Sequence, residues 1–219
     1  DEADGAHTLW KNRREPLCNM LMDLSPDIIG MQEVMNSSGY PQLSDVNSKV
    51  SSVYSHHVFE PSGLEEIGLE AYKPSMTNVL MWKTSMFDMV EKGLQFFTDN
   101  GAYGTVPSSE AWGYCTDNSR RLFQWVKLTH KLSGKTVWVF NTHFPVNNTN
   151  HTNDNPTGDN SKAREVCMTK MVEKAYELCG DEAVVYFTGD FNSAYSRADA
   201  FVLDVATSWL YDARTETED

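Results

Sequence analysis

Apolar residues along the chain follow two different repeats, and these repeats predict an ordered series of helices and strands. Residues 9–24, 41–54 and 161–179 repeat apolar side chains at helical spacing, which is typical of amphipathic helices. Ser196 with Asp199 resembles a capping signal for a further helix through about residue 207. Short apolar, β-branched or aromatic runs predict strands at 27–31, 56–60, 78–83, 86–90, 121–130, 135–141 and 183–188.

The order of these elements predicts a layered α/β protein. A helix–strand–helix unit lies at each end of the series, with hairpin strands between the two units. The runs 121–130 and 135–141 flank a short loop that contains Gly134, which is typical of a β-hairpin. We therefore expect two sheets packed face to face, each covered by helices. Residues 98–119 and 145–160 are polar and are predicted to be loops.

Composition indicates one folded domain over residues 1–219. The chain has no evident linker or internal repeat, and 40% of its residues are hydrophobic, which argues against disorder. No apolar run approaches the roughly 20 residues that a membrane-spanning helix requires. The formal net charge of -13 favours solubility and argues against a tight, sequence-independent grip on nucleic acid. It leaves open a nuclease whose bound cations offset the negative field locally.

The four cysteines do not indicate a zinc site. Cys18, Cys115, Cys167 and Cys179 contain no pair at C-x-x-C spacing. Cys167 and Cys179 fall on one predicted helix, about 18 Å apart along its axis, which is too far for a disulfide between them. Buried thiols and other pairings both stay open.

Three N-x-S/T sequons bear on the cellular location of the protein. They begin at Asn36, Asn147 and Asn150, and two of them share one polar loop. Such sequons are glycosylation acceptors in secreted or lumenal proteins. We expect a secreted or lumenal protein on this ground, while a cytoplasmic location stays open.

Three predicted strands end in side chains that suit hydrolysis of a phosphate ester. Glu33 follows the first strand, and a carboxylate there can hold Mg²⁺ or Mn²⁺. His143 follows the second strand of the hairpin, where an imidazole can donate to a phosphoryl oxygen or protonate a leaving group. Asp190 and Asn192 follow the last strand, where the carboxylate can take a proton from water and the amide can hold the phosphate.

Each of these residues also has a structural interpretation when taken alone. Glu33 suits a solvated strand end, His143 suits a hydrogen bond to a backbone carbonyl, and Asp190 with Asn192 suits a turn that caps the strand. If the backbone there is extended, Asp190 and Asn192 point the same way, towards one site. The combination of three strand ends with complementary groups favours an active site.

The sequences around these residues resemble a known superfamily. Asp-Ile-Ile-Gly-Met-Gln-Glu-Val, Asn-Thr-His-Phe and Gly-Asp-Phe-Asn are similar to signature blocks of the endonuclease/exonuclease/phosphatase superfamily, the DNase I-like metallophosphoesterases. Their order and spacing also fit, and the resemblance runs over most of the chain. It implies a four-layer α/β/β/α sandwich. It also implies a metal-binding role for Glu33, a catalytic role for His143, water activation by Asp190 and phosphate binding by Asn192.

Two further segments carry the same resemblance. Asn78-Val79-Leu80-Met81-Trp82-Lys83 is similar to a family strand that follows the helical first half. Arg120-Arg121-Leu122-Phe123-Gln124-Trp125 is similar to the family strand from which an arginine reaches towards the phosphate. The resemblance implies that role for Arg121 or Arg120.

The chain departs from the family pattern at both ends. The family opens with a strand whose Asn helps to bind metal, and it closes with a Ser-Asp-His block. Glu33 lies too near residue 1 to follow such a strand, and Asp219 comes only a helix after the Gly-Asp-Phe-Asn block. We therefore expect the domain to be incomplete at both ends.

Two functional hypotheses follow. The first is a Mg²⁺- or Mn²⁺-dependent phosphodiesterase or phosphatase, in which water activated by Asp190 attacks phosphorus in line. A nuclease or small phosphodiester hydrolase ranks above a sphingomyelinase or a phosphoinositide phosphatase, so the expected partner is a phosphate ester, either nucleic acid or a phospholipid headgroup. The second is a binding or scaffold protein that kept the fold and lost turnover.

Overall fold

Two β-sheets form the centre of the computed structural model, which describes residues 9–37, 40–58, 76–97, 121–147, 160–179, 183–193 and 201–210. One sheet has the strand order β2-β1-β4-β3, with β1 at Ile28–Ser37, β2 at Tyr40–Pro41, β3 at Tyr54–Val58 and β4 at Met76–Lys83. The other has the order β5-β6-β7-β8, with β5 at Phe87–Phe96, β6 at Leu122–His130, β7 at Thr136–His143 and β8 at Val184–Asp190. Neighbouring strands are antiparallel except β7 and β8, which are parallel.

Helices cover the outer face of each sheet. The described helices are α1 at Trp10–Leu24, α2 at Gln42–Val50, α3 at Ser161–Cys179 and α4 at Phe201–Thr207. Apolar residues of α1 and α2 form one core with the first sheet, and those of α3 and α4 form another core with the second sheet. The layers therefore follow the order α/β/β/α, as the motif resemblance predicts.

A third apolar cluster lies between the two sheets. It joins Leu80 and Trp82 of β4 to Val137 and Val139 of β7. Because side chains alternate along a strand, Asn141 and His143 continue the face of β7 that points towards the first sheet. This inner face is apolar in its middle and becomes polar at its edge.

The predicted hairpin is confirmed as β6 and β7, and the helix at 161–179 is confirmed as α3. The helix predicted over 41–54 is shorter, because the chain from Tyr54 already pairs with β4. β1 and β5 run further than predicted, to Ser37 and Phe96. The predicted loop at 98–119, most of the loop at 145–160 and the capping signal at Ser196 lie outside the described residues.

The described cysteines carry free thiols. Cys18 and Cys167 are buried, and Cys179 is partly buried. Burial raises the pKa of the Cys179 thiol to about 12, which keeps it protonated and unreactive at neutral pH. Cys115 lies outside the described residues. Among the described helices, none has an apolar stretch long enough to cross a bilayer.

Candidate functional site

His143 and Asp190 are paired in register at the ends of two neighbouring parallel strands. β7 and β8 run side by side from Val137 opposite Val184 to His143 opposite Asp190. Parallel strands present their carboxyl ends at the same edge of a sheet, so both side chains reach one rim. His143 Nε2 lies 3.8 Å from Asp190 Oδ2.

Glu33 approaches the same imidazole from the other sheet. Its Oε1 lies 3.9 Å from His143 Nδ1. Both distances exceed hydrogen-bond length, so the two carboxylates are electrostatic neighbours of the ring. The side chain of His143 is only 10% exposed, whereas that of Glu33 is 62% exposed. The site therefore has a fixed imidazole with a solvent-accessible carboxylate on either side.

A β-bulge presents Glu33 at this position. β1 pairs regularly with β4 up to Met31 opposite Val79, and pairing resumes at Val34 opposite Thr77. Gln32 and Glu33 lie opposite the single residue Asn78, so β1 has one extra residue here, and Glu33 has a φ of 56°. A positive φ is costly for a residue with a side chain, and bulges commonly redirect side chains beside active sites. The bulge explains why the polar Gln-Glu pair, predicted to follow the strand, lies within it.

Asp190 and Asn192 form a tight turn after β8. Asp190 Oδ1 accepts a hydrogen bond from the Asn192 backbone N–H at 2.9 Å, and Asn192 Nδ2 donates to the Phe144 carbonyl at 2.8 Å. Asn192 has a φ of 49°, so the backbone is not extended here and the expectation based on an extended strand does not apply. The turn suggested as a structural interpretation is present, and it leaves Asp190 Oδ2 facing His143.

A buried amide connects the three strands that carry these residues. Asn141 Nδ2 donates to the carbonyls of Met31 and Val79, each at 3.0 Å. Asn141 Oδ1 accepts from Gln32 Nε2 at 2.7 Å and lies 3.1 Å from Thr188 Oγ1. We call Gln32, Asn141 and Thr188 the Asn141 network. The sequence predicted no role for its members, although a buried polar residue on the inner face of an apolar strand is a signal for one.

Of the two arginines predicted to bind phosphate, the structure describes only Arg121. Arg121 immediately precedes β6, and its carbonyl accepts a hydrogen bond from Phe97 N at 3.1 Å. Since Phe123 pairs with Thr142, Arg121 lies at the same edge of the second sheet as His143. Arg120 lies outside the described residues.

The sequon residues are also only partly described. Asn147 Oδ1 accepts from the Asn160 backbone N–H and from Arg164 Nη1, each at 2.9 Å. Asn36 belongs to β1, but its side chain is outside the description, as is the whole of Asn150. Glycosylation at the three positions stays a prediction.

The solvent-accessible carboxylate of Glu33 is of a type that can bind a hard divalent cation. Carboxylate oxygens are the ligands that Mg²⁺ and Mn²⁺ prefer, and Mg²⁺ in such sites commonly uses one or two carboxylates plus substrate phosphate oxygens. The accessible carboxylate of Glu33 suits this mode. Within the described ranges, no three His, Cys, Asp or Glu side chains form a group that could hold a metal ion.

The structure is similar to solved structures of endonuclease/exonuclease/phosphatase proteins. An endonuclease/exonuclease/phosphatase from Bacteroides vulgatus matches with a TM-score of 0.69 and 20% sequence identity, over 95% of this chain and 66% of that one. The mannosyl-6-phosphatase Bt3783 of Bacteroides thetaiotaomicron matches with a TM-score of 0.66 and 20% identity, over 91% of this chain and 65% of that one. TDP2 of D. rerio, complexed with single strand DNA product, matches with a TM-score of 0.58 and 18% identity, over 93% and 61%.

The chain thus spans about two thirds of the length of these structures. No family model and no curated protein matches the sequence. The likeness in structure covers 95%, 91% and 93% of this chain in the three comparisons. The chain therefore has the α/β/β/α fold of the endonuclease/exonuclease/phosphatase superfamily.

Proposed function

We propose that this chain is the core of a divalent-metal-dependent phosphoester hydrolase. The observation that carries the proposal is the position of the His143 imidazole, which lies 3.9 Å from Glu33 Oε1 and 3.8 Å from Asp190 Oδ2. One carboxylate comes from each sheet, and both are solvent-accessible. This arrangement provides a cation ligand, a hydrogen-bond donor and a proton acceptor at one edge of the fold, which are the groups that phosphoester hydrolysis uses.

Each side chain has a distinct role in this proposal. Asp190 accepts the proton of the attacking water through Oδ2, since its Oδ1 is engaged by the Asn192 backbone N–H. His143 donates to a phosphoryl oxygen or to the leaving group. Asn192 contributes its amide to phosphate binding, and Arg121 supplies positive charge at the same edge. Glu33 holds the cation.

The chemistry that Mg²⁺ or Mn²⁺ supplies when bound at Glu33 is neutralisation of developing negative charge and polarisation of the phosphoryl group. The protein keeps His143 fixed for this chemistry, because its side chain is 10% exposed and it is the last residue of the buried strand β7. A donor that is already oriented loses little on reaching the transition state.

A nuclease or small phosphodiester hydrolase is the proposed substrate class. The similarity to TDP2 complexed with single strand DNA product supports a nucleic-acid or diester substrate, while the similarity to a mannosyl-6-phosphatase supports a small phosphate ester. A net charge of -13 disfavours tight binding of long nucleic acid in the absence of cations. Short single strands and small diesters therefore lead the list of substrates to test.

The test is a substrate panel on the full-length protein. Single-stranded DNA, RNA, bis-p-nitrophenyl phosphate, mannose 6-phosphate, sphingomyelin and inositol phosphates are incubated with Mg²⁺ or Mn²⁺, and then with EDTA. We expect turnover of a phosphate ester that EDTA abolishes and that Asp190→Asn removes. Turnover of sphingomyelin or inositol phosphates alone would move the substrate class to lipid headgroups. No turnover with any cation would favour a scaffold that has lost catalysis.

We further propose that the protein is secreted or lumenal, on the ground of the sequons at Asn36, Asn147 and Asn150. Expression in a eukaryotic secretory host should yield protein whose mass falls on treatment with peptide N-glycosidase. Replacing the three asparagines with glutamine should remove the difference. Unmodified protein from such a host would contradict the location.

A further inference from the structure

We infer that Gln32 and Asn141 are positioning residues that orient the Glu33 carboxylate against His143 and Asp190. The inference rests on the proposed function and adds to it two residues that do not touch substrate or cation. It follows from the hydrogen bonds that cross from one sheet to the other directly beneath the site.

The Asn141 amide is buried and uses its full hydrogen-bonding capacity. The residue is 0% exposed. Its Nδ2 faces two carbonyl oxygens, those of Met31 and Val79, which can only accept. The amide orientation is therefore determined by its partners, and Oδ1 must be the atom that accepts from Gln32 Nε2. An amide held in this way has a fixed position and orientation between the two sheets.

The Asn141 side chain is hydrogen-bonded to β1 just before the bulge. Met31 and Val79 are opposite each other in the last regular pair of β1 and β4 before the register shifts. Asn141 Nδ2 bonds to both of their carbonyls, and the next residue, Gln32, bonds to Asn141 Oδ1 at 2.7 Å. The bulge that contains Glu33 is thus tied to β7, although 109 residues separate Gln32 from Asn141.

The members of the network stand directly behind the three side chains of the site. Gln32 precedes Glu33 by one residue, while Asn141 and Thr188 precede His143 and Asp190 by two residues each. Because residues two apart on a strand share a face, the network forms the layer beneath the site. It sets the separation of the strands that carry the two carboxylates.

Gln32 is the member of the network that acts most directly on Glu33. Thr188 Oγ1 lies 3.1 Å from both Asn141 Oδ1 and the Phe140 carbonyl, so its single hydrogen is shared between them. The shorter bond, from Gln32, comes from the bulge itself. Loss of that bond removes the contact made from within the bulge but leaves Asn141 with Thr188 and with the carbonyls of Met31 and Val79. The fold should therefore survive a change at Gln32.

The test compares Gln32→Met with Gln42→Met in the full-length protein. Both changes replace a half-buried glutamine with a residue of similar size that lacks an amide. Gln42 also bonds to β1, since its Oε1 accepts from Met35 N at 2.9 Å, but it does so beyond the bulge and without a link to the second sheet. The probes are Mg²⁺ and Mn²⁺ binding by isothermal titration calorimetry and turnover of the best substrate in the panel.

We expect Gln32→Met to weaken cation binding and to lower kcat by about tenfold each, as loss of an outer partner of a metal ligand does. Gln42→Met should change the cation affinity and kcat by less than about twofold each. Added to Glu33→Gln, the Gln32→Met change should have little further effect on kcat, because residues that act through one another are not additive. A residue that only stabilised the fold would lower both values independently of Glu33.

The possible outcomes separate this inference from the proposed function. If the parent protein binds cation and turns over substrate while Gln32→Met behaves like the parent, the positioning role is wrong and the hydrolase assignment stands. If the effects of Gln32→Met and Glu33→Gln add fully, the positioning role is also wrong. If the parent binds no cation and hydrolyses nothing, both proposals fail together. Should Gln32→Met not fold, Gln32→Asn gives the same comparison, because it shortens the side chain by one methylene and adds no charge beside Glu33.

Discussion

Glu33 and His143 belong to different sheets, yet Glu33 Oε1 lies 3.9 Å from His143 Nδ1. The sheets meet through an apolar cluster in the middle of the fold and through the Asn141 network at its edge. The candidate site is therefore a property of the interface between two sheets. Changes that alter the spacing of the sheets should alter activity as well as stability.

We expect Glu33→Gln to weaken Mg²⁺ binding by at least about tenfold, since even outer partners of a metal ligand contribute that much. The change removes the negative charge and keeps the side-chain shape. Isothermal titration with Mg²⁺ and Mn²⁺ measures the effect. Glu91→Gln is a suitable control, because Glu91 is also an exposed glutamate that follows a bulge, in β5 of the other sheet. Equal binding by Glu33→Gln and the parent would rule out Glu33 as a ligand.

We expect His143→Ala to lower kcat by about 100-fold or more, the contribution typical of a positioned acid or base. Rapid-mix kinetics at saturating substrate and cation give the value. Thermal unfolding should change little in comparison, because His143 lies at the end of β7 and not in its apolar middle. Turnover that survives the loss of His143 would contradict the proposed mechanism without contradicting the fold.

Asp190→Asn should lower kcat at least as much as His143→Ala. The amide oxygen of asparagine can still accept from the Asn192 backbone N–H, as Asp190 Oδ1 does at 2.9 Å, so the turn should persist while the base is lost. Asp190→Ala removes the base and the turn together and should cost stability in addition. Asp88→Asn serves as the matched control, since Asp88 is exposed and pairs with Lys131. Comparable kcat values for Asp190→Asn and the parent would exclude Asp190 as the base.

Gly30→Ala should disturb both stability and activity, because β1 approaches β8 closely at this position. A Cβ at Gly30 would lie 2.3 Å from Thr188 Oγ1 and 3.0 Å from Asn141 Oδ1. Relief of such overpacking typically costs about 1–3 kcal/mol of the free energy of unfolding, and here it would also shift the Asn141 network.

Two comparisons make the Gly30 prediction specific. Gly134→Ala should cost stability through its φ of 70° but should leave kcat unchanged, since a Cβ there meets nothing within 4 Å. Thr188→Ala added to Gly30→Ala should recover part of the loss, because it removes the hydroxyl that a Cβ would strike. Urea unfolding and kcat, measured on the same samples, test both. A lack of recovery would show that the contact with the Thr188 hydroxyl is not the cause, since alanine keeps the Cβ that lies 2.9 Å away.

Stability should fall as the pH falls below about 6.5, because His57 is buried in its neutral form. Burial lowers the pKa of His57 to about 4, and the positive charges of Lys92 and His56 add to the effect, while a hydrogen bond to the Gly93 carbonyl opposes it. His57 Nδ1 is buried, and no hydrogen-bond partner for it occurs among the described residues. A proton on this nitrogen would therefore be poorly compensated.

The sign of the His57 effect follows from linkage. His57 binds a proton near pH 6.5 in the unfolded chain and only near pH 4 in the folded chain. The stabilisation of the folded state by neutral His57 is therefore complete above pH 6.5 and is lost as the pH falls towards 4. The loss between pH 7.5 and pH 5 should be about 2 kcal/mol in the free energy of unfolding. Urea unfolding at the two pH values should show a smaller difference for His57→Gln than for the parent. The same change at the partly exposed His130 serves as the control for replacing a histidine with glutamine.

The local sequence determined the elements and the identity of the candidate side chains. The apolar repeat of 161–179 predicts α3, and the two aromatic runs around Gly134 predict the β6–β7 hairpin, because helical and strand periodicity are short-range properties. Glu33, His143 and Asp190 were also found from sequence, since a polar residue at the end of an apolar strand is visible within a few positions. The motif order then indicated the layered fold.

Only the tertiary structure decided how these side chains are presented. The bulge at Gln32 and Glu33 exists because β1 pairs with β4 on both sides of it and is held by Asn141 from the other sheet. The turn at Asn192 depends on the Phe144 carbonyl, 48 residues away in the chain. These contacts join residues that no sequence window contains together. A buried amide must find all its partners wherever they lie, and so the packing of the two sheets, rather than any local pattern, sets the geometry of the site.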